Sequence, residues 1–152
     1  MRSIWAVGLM LAVVQWASGQ TVEVRQKQFN VNKDLGLEGY DPVSYFENNP
    51  QKGKSEFQWA HQGITYRFSS AQHLNDFKIS PSKYEPAYGG WCAYAMGENG
   101  EKVKVDPETY KILDGKLFLF YNFWGNNTLK DWNKSEKALK AKGDENWKKF
   151  VH

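Results

Sequence analysis

Ser69, Ser70 and His73 stand where a strand-like pattern gives way to a helix-like one, in the segment YRFSSAQHLNDFKISPSKY. An imidazole beside two hydroxyls could hold a metal ion or a substrate. The same residues also suit the start of a helix, because a serine hydroxyl can accept a hydrogen bond from the first turn. The spacing therefore leaves two interpretations of His73 open: a ligand, or a histidine satisfied within the fold.

The histidines and the single cysteine give few ways to build a metal site. The three histidines are His61, His73 and His152, and neither an H-x-x-x-H nor a C-x-x-C spacing occurs. Such spacings are typical of protein zinc sites. The candidate metal ligands are therefore His73 and Cys92, joined by an unspecified third group. A transition metal is the cofactor that such a set would take, and folding is expected to require none.

Cys92 is the only cysteine, so the chain cannot form an internal disulfide. A free cysteine is most often a small buried hydrophobe, and we expect this state for Cys92. Two alternatives remain: a reactive thiol with a depressed pKa, and one half of an intermolecular bridge. The reactive alternative would make the protein a thiol-dependent or redox enzyme.

Other catalytic signatures are absent from the sequence. It contains no nucleophile elbow, no phosphate-binding loop and no dinucleotide fingerprint. Several aromatic residues with polar tips could line an apolar pocket, although core packing would explain them equally well. These pocket candidates are Tyr40, Tyr66, Tyr88 and Trp91.

Residues 1–19 have the composition of an export signal. A charge at Arg2 precedes an apolar run from Ile4 to Val14, and small residues follow at 17–19. The run is shorter than the roughly 18 apolar residues that a membrane-spanning helix needs. We expect cleavage after Gly19, with Ser18 and Gln20 as the alternative positions, and a periplasmic or extracellular mature chain without a membrane span.

Composition predicts one small domain held together by aromatic packing. The sequence contains 7 Trp, 8 Tyr and 9 Phe, and aromatic side chains each bury a large area. The net charge is +3, or +2 once Arg2 is removed, and no basic stripe suggests nucleic acid as a partner. A small molecule, a metal or an envelope protein remains as the partner.

The first half of the chain predicts an arm, a short helix, a hairpin and a longer helix. Residues 20–34 alternate loosely, as a peripheral strand or an ordered arm would. Asp41 can cap a short helix over Pro42 to Phe46. The segment 56–68 is typical of a hairpin that turns at Gly63, and the next helix is expected to begin at Ser69 with Gln72 completing a capping box.

The second half predicts one buried segment, a second hairpin and a C-terminal helix. Residues 91–95 are expected to be buried, in one interpretation as a strand. Asp114-Gly115 lies between two apolar runs and favours a tight type I′ turn. Leu129, Trp132, Leu139 and Phe150 have helix-compatible spacing, interrupted at Gly143. The fold class is α+β: a small antiparallel sheet of hairpins with helices packed against it in a single domain.

Several of these segments together resemble the YHS domain family. The motifs are DPVS at 41–44, GITYRFSS at 63–70, Phe77, and PSKY at 81–84. The family pattern runs Asp-Pro-Val-Cys, then Gly-x-x-Tyr-x-Phe-Cys-Ser-x-x-Cys, then a Phe and Pro-x-Lys-Tyr. The wider stretch with YGGWCAYAM and DGKLFLFYN is similar to exported bacterial YHS-domain proteins. The resemblance implies a YHS-like domain over 35–152.

The resemblance also implies where metal-binding cysteines would stand. At the family's cysteine positions this sequence has Ser44, Ser69 and His73, so each thiolate is replaced. Serine hydroxyls are poor ligands for soft metals, and only His73 keeps a ligand atom at these positions. Cys92 lies outside the short YHS motif and inherits no role from it.

Three functional hypotheses follow from the sequence. The leading hypothesis is a non-catalytic exported binding module for a small ligand, a metal or a partner protein, with a cleft near His73 and Cys92. The second is an enzyme that uses the Cys92 thiol. The third is a structural or interaction protein of the cell envelope that makes contacts through surface aromatics.

Overall fold

The computed structural model describes residues 20–152, so the predicted export signal lies outside the described residues. Six α-helices and eight β-strands occur in this part of the chain. The helices are α1 Val22–Gln28, α2 Ala71–Ile79, α3 Pro81–Tyr84, α4 Ala93–Glu98, α5 Thr128–Lys134 and α6 Glu136–Val151. The strands are β1 Val31–Asn32, β2 Leu35–Gly36, β3 Lys54–His61, β4 Ile64–Phe68, β5 Asp106–Leu113, β6 Lys116–Phe120, β7 Asn122–Phe123 and β8 Asn126–Asn127.

The strands form one four-stranded sheet and two hairpins. The larger sheet has the order β1-β2-β4-β3, while β5 pairs with β6 and β7 with β8. The predicted α+β class is confirmed. The larger sheet is mixed rather than purely antiparallel, because β2 and β4 run parallel through the Leu35–Thr65 pair.

Two predicted hairpins are confirmed, and local backbone chemistry explains both. The β3–β4 turn places Gln62 and Gly63 at φ 46° and 85°, and the β5–β6 turn places Asp114 and Gly115 at φ 50° and 72°. Two successive residues with positive φ make a type I′ turn, whose twist matches that of the strands it joins. Glycine at the second position tolerates this conformation without steric cost.

The strand interpretation of residues 20–34 is wrong for most of the segment, since 22–28 form α1. Thr21 caps this helix through a hydrogen bond from the Val24 amide to its hydroxyl at 3.2 Å. Arg25 of α1 is buried, and its guanidinium donates hydrogen bonds to Gln62 and Glu85, which are 37 and 60 residues away along the chain. Contacts with distant residues, and not the local alternation of residue types, therefore decide that residues 22–28 form a helix.

The strand interpretation of residues 91–95 is also wrong, because Ala93–Glu98 form α4. Only Cys92 joins a sheet-like contact, an isolated bridge to Leu119. The predicted burial is correct for Cys92 and Ala93, which are fully buried, whereas Trp91, Tyr94 and Ala95 are partly buried. A short buried apolar run does not reveal by itself whether it is helical or extended.

The C-terminal helical region divides at Ser135, not at the predicted Gly143. Ser135 leaves helical geometry between α5 and α6, whereas Gly143 lies inside α6 and is buried. A Cβ at position 143 would lie 2.7 Å from the hydroxyl oxygen of Tyr88. Gly143 therefore serves close packing within a continuous helix.

Aromatic side chains fill the core, as the composition predicts. One core cluster contains Phe68, Phe77 and Leu119 with other residues of the four-stranded sheet and the β5–β6 hairpin. A second cluster contains Phe118, Phe120 and Trp132 and lies under α4 to α6. Over residues 20–152, no helix has the length and apolarity needed to span a bilayer.

Gly97 permits the close approach of α4 to α6. A Cβ at this position would lie 2.5 Å from the Leu139 carbonyl oxygen, which is backbone and cannot turn aside. We predict that Gly97→Ala lowers the free energy of unfolding by about 1–3 kcal/mol, the usual cost of overpacking. Urea denaturation followed by circular dichroism measures the change. The exposed neighbour provides the control, since Glu98→Ala should stay within about 0.5 kcal/mol of the parent; equal values for both variants would contradict the packing argument.

Candidate functional site

The Asp41 carboxylate is the centre of the site that contains His73. Its side chain is fully buried and lies just before the 3₁₀ turn Ser44–Glu47. One oxygen, Oδ1, accepts hydrogen bonds from the amides of Val43 and Ser44 at 2.9 and 3.4 Å. Asp41 thus closes the 41–44 turn, whereas the predicted helix over 42–46 is a 3₁₀ turn over Ser44–Glu47 whose N-cap residue is Val43, not Asp41.

The second oxygen of Asp41 binds the segment between β4 and α2. Oδ2 accepts hydrogen bonds from the Ser69 amide at 2.9 Å and the Ser69 hydroxyl at 2.7 Å. Nδ1 of His73 lies 2.6 Å from the same oxygen. One buried carboxylate therefore joins residues that are 28 and 32 positions away along the chain.

The predicted helix cap at Ser69 is wrong by one residue. Ser70 is the N-cap of α2, and its hydroxyl accepts a hydrogen bond from the His73 amide at 3.2 Å. Gln72 does not complete a capping box, since its side-chain amide donates to Asp76. The Ser69 hydroxyl is instead occupied by Asp41.

His73 lies between two carboxylates. Its Nε2 is 3.0 Å from Oε1 of Glu47, opposite the contact of Nδ1 with Asp41. The His73 side chain is 12% exposed and that of Glu47 57%, so the ring is reached by solvent mainly at its Glu47 side. Ser69 Oγ sits 3.2 Å from Nδ1, the nitrogen that Asp41 already occupies, so the group is not arranged as a serine–histidine–aspartate triad.

This environment favours the charged imidazolium. Burial lowers the pKa of His73, but hydrogen bonds and charges from Asp41 and Glu47 raise it by more, and the net shift is upward. A charged ring donates from both nitrogens and can satisfy both carboxylates at once. The histidine is therefore satisfied within the fold.

The three positions that the YHS resemblance aligns with cysteines meet in space. Ser44, Ser69 and His73 all contact Asp41, with the Ser44 hydroxyl donating to the Asp41 carbonyl oxygen at 2.6 Å. The thiolates of the family pattern are thus replaced by hydroxyls and an imidazole around a carboxylate. Such a set satisfies a buried charge and offers no soft ligand.

The contacts of Cys92 do not include His73 or Asp41. Its sulfur accepts a hydrogen bond from the Tyr121 amide at 3.3 Å and lies 3.5 Å from the Thr128 hydroxyl. Over residues 20–152, no three histidine, cysteine or acidic side chains are placed to hold a metal ion. The predicted pairing of His73 and Cys92 in one metal site therefore has no geometric support.

A concavity of about 240 Å³, here called the Cys92 pocket, opens beside this thiol; His73 does not line it. Its walls come from α4, the 99–103 segment and the β7–β8 hairpin that leads into α5. The lining residues are Cys92, Tyr94, Ala95, Glu98, Asn99, Glu101, Val103, Tyr121, Asn126 and Thr128.

The four aromatic pocket candidates do not share one cavity. The Tyr66 hydroxyl donates to Glu85 at 2.6 Å, and that of Tyr88 donates to Asp144 at 2.9 Å. The Trp91 indole donates to the Gln28 carbonyl at 2.6 Å. The half-buried Tyr40 ring carries the Lys52 ammonium 4.9 Å from its centre. Of the four, Tyr88 lines a groove, which also contains Glu85.

Sequence reasoning missed the acidic partners of His73. The sequence predicts only a capping role for Asp41 and no role for Glu47. Their long sequence separation from His73 leaves no spacing signal, and the one hint in the sequence is that Asp41 belongs to the DPVS motif. Likewise, nothing in the spacing joins Tyr121 and Thr128 to Cys92.

Comparison of the chain with protein-family models, with curated proteins and with solved structures found no match. The resemblance to the YHS family therefore stays a prediction that rests on the motifs quoted above.

The raised pKa of His73 predicts a pH-dependent stability. The interaction is fully present below the unfolded pKa of about 6.5 and is lost as the pH rises through the higher folded pKa. His73→Gln should therefore cost about 1.5–3 kcal/mol at pH 5.5, the value of a hydrogen bond to a charged group, and less at pH 9. Denaturant unfolding at both pH values measures this. His152→Gln, at the exposed C-terminus, is the control; a His73→Gln cost that is the same at both pH values would contradict the charged-ring assignment.

Proposed function

We propose that the chain is a non-catalytic, exported YHS-type binding module that takes a small ligand in the Cys92 pocket. The observation that carries the proposal is a buried, hydrogen-bonded thiol beside a concavity whose rim is polar. Protein sites for small molecules commonly combine apolar walls with a few convergent polar groups. Here Tyr94, Tyr121 and Val103 supply the apolar surface, and Asn126 and Glu98 supply hydrogen-bonding groups.

The size and lining of the pocket indicate the class of ligand. At about 240 Å³ it lies below the roughly 300–1,000 Å³ of drug-sized sites, so the ligand is a small molecule. Two tyrosine rings favour a ligand with an apolar face, and the amide and carboxylate groups favour hydroxyl or amine substituents on its edge.

Burial of Cys92 supports a binding role over thiol catalysis. The residue has no exposed surface, and its sulfur already accepts the Tyr121 amide. Reactive cysteines sit in partly exposed, electropositive surroundings, whereas the acids nearest this pocket are Glu98 and Glu101. A buried thiol at this position packs against the wall of the pocket and holds the wall in place.

The motifs that resemble the YHS family and the apolar run before Gln20 support the exported, YHS-type part of the proposal. Mass spectrometry of the protein secreted by an exporting host tests the location of cleavage, with Gln20 expected as the first residue. A protein retained with residues 1–19 attached in the cytoplasm would contradict export.

Alkylation kinetics separate the binding module from the thiol enzyme. We predict that iodoacetamide modifies Cys92 at least about 100-fold more slowly in the folded protein than in urea, at every pH from 6 to 9, because a buried thiol is inert. Ser55→Cys in a Cys92→Ala background provides an exposed cysteine on β3 as the control. Rapid modification of folded Cys92 near pH 7 would favour the enzyme.

Fragment screening by ligand-observed NMR tests the pocket itself. Fragments that bind the parent should also bind Cys92→Ala. They should not bind Ala95→Leu, because the larger side chain fills the pocket from α4. Ala138→Leu, at an exposed position of α6, is the matched control. Fragments that bind Ala95→Leu as well as the parent would overturn the assignment of the pocket.

A second candidate function, contact with an envelope protein, is favoured by Trp124. This side chain is 93% exposed and stands at φ 57° in the two-residue turn between β7 and β8. Positive φ is unfavourable for a bulky residue, and Asn-Gly would form the same turn more easily. Trp124 at this position lowers stability and exposes apolar surface. A tryptophan that binds a partner protein would be exposed in the same way.

We predict that Trp124→Asn raises the free energy of unfolding by about 0.5–2 kcal/mol, the usual gain from an optimised surface position. If the residue serves a partner, the same change should reduce recovery of cross-linked complexes from the native envelope. Thermal denaturation measures the first effect and in situ cross-linking the second. The exposed Trp59→Asn on β3 is the comparison variant. Unchanged cross-linking in Trp124→Asn would remove this candidate function.

A further inference from the structure

A second concavity, here called the Arg25 groove, lies between α1, the 82–89 segment and α6. Its volume is about 290 Å³, and neither Cys92 nor His73 lines it. Arg25, Glu85, Lys116 and Asp144 bring four charged side chains to it. No motif in the sequence predicted this site.

Arg25 is a buried cation with donor capacity to spare. Its side chain is 6% exposed, and the guanidinium stacks 4.4 Å from the centre of the Phe29 ring. Nε donates to the Gln62 carbonyl at 3.0 Å, and Nη2 donates to Glu85 at 2.5 Å. A guanidinium has five N–H donors arranged as a planar fork, so this partly satisfied group can still receive an oxyanion at the groove.

The two acids of the groove are already occupied. Glu85 Oε2 accepts both Arg25 and the Tyr66 hydroxyl, and Oε1 lies 3.7 Å from Nε2 of His61. Asp144 accepts the Tyr88 hydroxyl at 2.9 Å and pairs with Lys140 at 3.0 Å. Their charges are therefore balanced by groups of the fold.

Lys116 supplies a positive charge that no acid balances. Its ammonium donates to the Ser82 carbonyl at 2.8 Å, and within residues 20–152 no carboxylate lies at ion-pair distance from it. The charges that line the groove sum to zero, but Glu85 is paired with Arg25 and Asp144 with Lys140, so Lys116 is the cation left to meet an anionic ligand beside the Arg25 fork.

Aromatic rings form the apolar part of the groove. Phe29 and Trp147 pack with ring centres 5.7 Å apart, and Tyr88 adds a third ring. Gly89, at φ 61°, presses its backbone against these rings, since a Cβ there would lie 2.8 Å from Trp147 and 3.0 Å from Phe29. Close packing fixes the rings in place, so the groove is formed before a ligand arrives.

From this geometry we infer that the Arg25 groove binds a small organic acid, whose carboxylate meets Arg25 and Lys116 while its apolar portion lies against Phe29, Tyr88 and Trp147. Arginine and carboxylate form short, charge-assisted hydrogen bonds that can be bidentate. The volume limits the ligand to about the size of a single ring with a short substituent.

An NMR titration of the ¹⁵N-labelled protein with three probes of one shape tests the inference. Benzoate, benzyl alcohol and benzylamine share a ring and differ in charge. Benzoate should shift the amides of 87–90 and the Trp147 indole, with an affinity about tenfold higher than that of benzyl alcohol, because the carboxylate bonds are charge-assisted. Raising NaCl from 50 to 500 mM should weaken benzoate binding and leave benzyl alcohol unchanged.

Lysine variants locate the charge. Lys116→Ala should weaken benzoate binding about three- to fivefold, the range of an exposed ion pair, with no change in the unfolding midpoint. Lys137→Ala removes an exposed lysine outside the groove and should leave the affinity unchanged. Arg25→Lys keeps the charge but loses the planar fork and should abolish most of the benzoate preference.

The comparison of the three probes in the parent protein tests the inference even if Arg25→Lys fails to fold. Equal affinities for benzoate and benzyl alcohol would overturn it. So would shifts that map away from 87–90 and Trp147, or equal effects of Lys116→Ala and Lys137→Ala.

Discussion

The buried Asp41 carboxylate is the interaction on which the first half of the fold depends. A carboxylate without exposed surface is tolerated only when hydrogen bonds or charges replace its lost hydration. Here the donors come from three segments: the turn at Val43–Ser44, Ser69 just after β4, and α2 at His73. One buried charge consequently links all three segments.

This constraint explains why a histidine stands one turn into α2. A neutral side chain would leave Asp41 without a counter-charge, and a lysine would need a longer path to the carboxylate. The imidazolium is short and rigid, and its second nitrogen meets Glu47 at the surface. The chemistry that made His73 a plausible ligand is thereby used within the protein, and neither the Cys92 pocket nor the Arg25 groove is lined by His73.

The sequence predicted features that local chemistry decides and failed where distant packing decides. The turns at Gln62-Gly63 and Asp114-Gly115 follow from their own backbone preferences, and both are correct. Ser69 and Ser70 are equally good caps from their composition, and only Asp41, 28 residues before Ser69, selects Ser70 by occupying the other hydroxyl. Burial of Cys92 was predictable from residue type, whereas its pocket depends on residues from 94 to 128 that no spacing brings together.

Tyr88 and Trp124 both have strained backbone conformations, but they differ in whether contacts within the chain offset the strain. Tyr88 stands at φ 54°, but its hydroxyl bonds to Asp144 and its ring packs 5.7 Å from Phe118, so the fold gains contacts that offset the strain. Trp124 stands at φ 57° with 93% of its surface exposed, and the described residues offer it no aromatic or cationic partner. Contacts within the described residues thus offset the strain at Tyr88, whereas they do not offset the strain at Trp124. A local rule broken without an internal gain agrees with the partner contact that we propose for Trp124 at the β7–β8 hairpin.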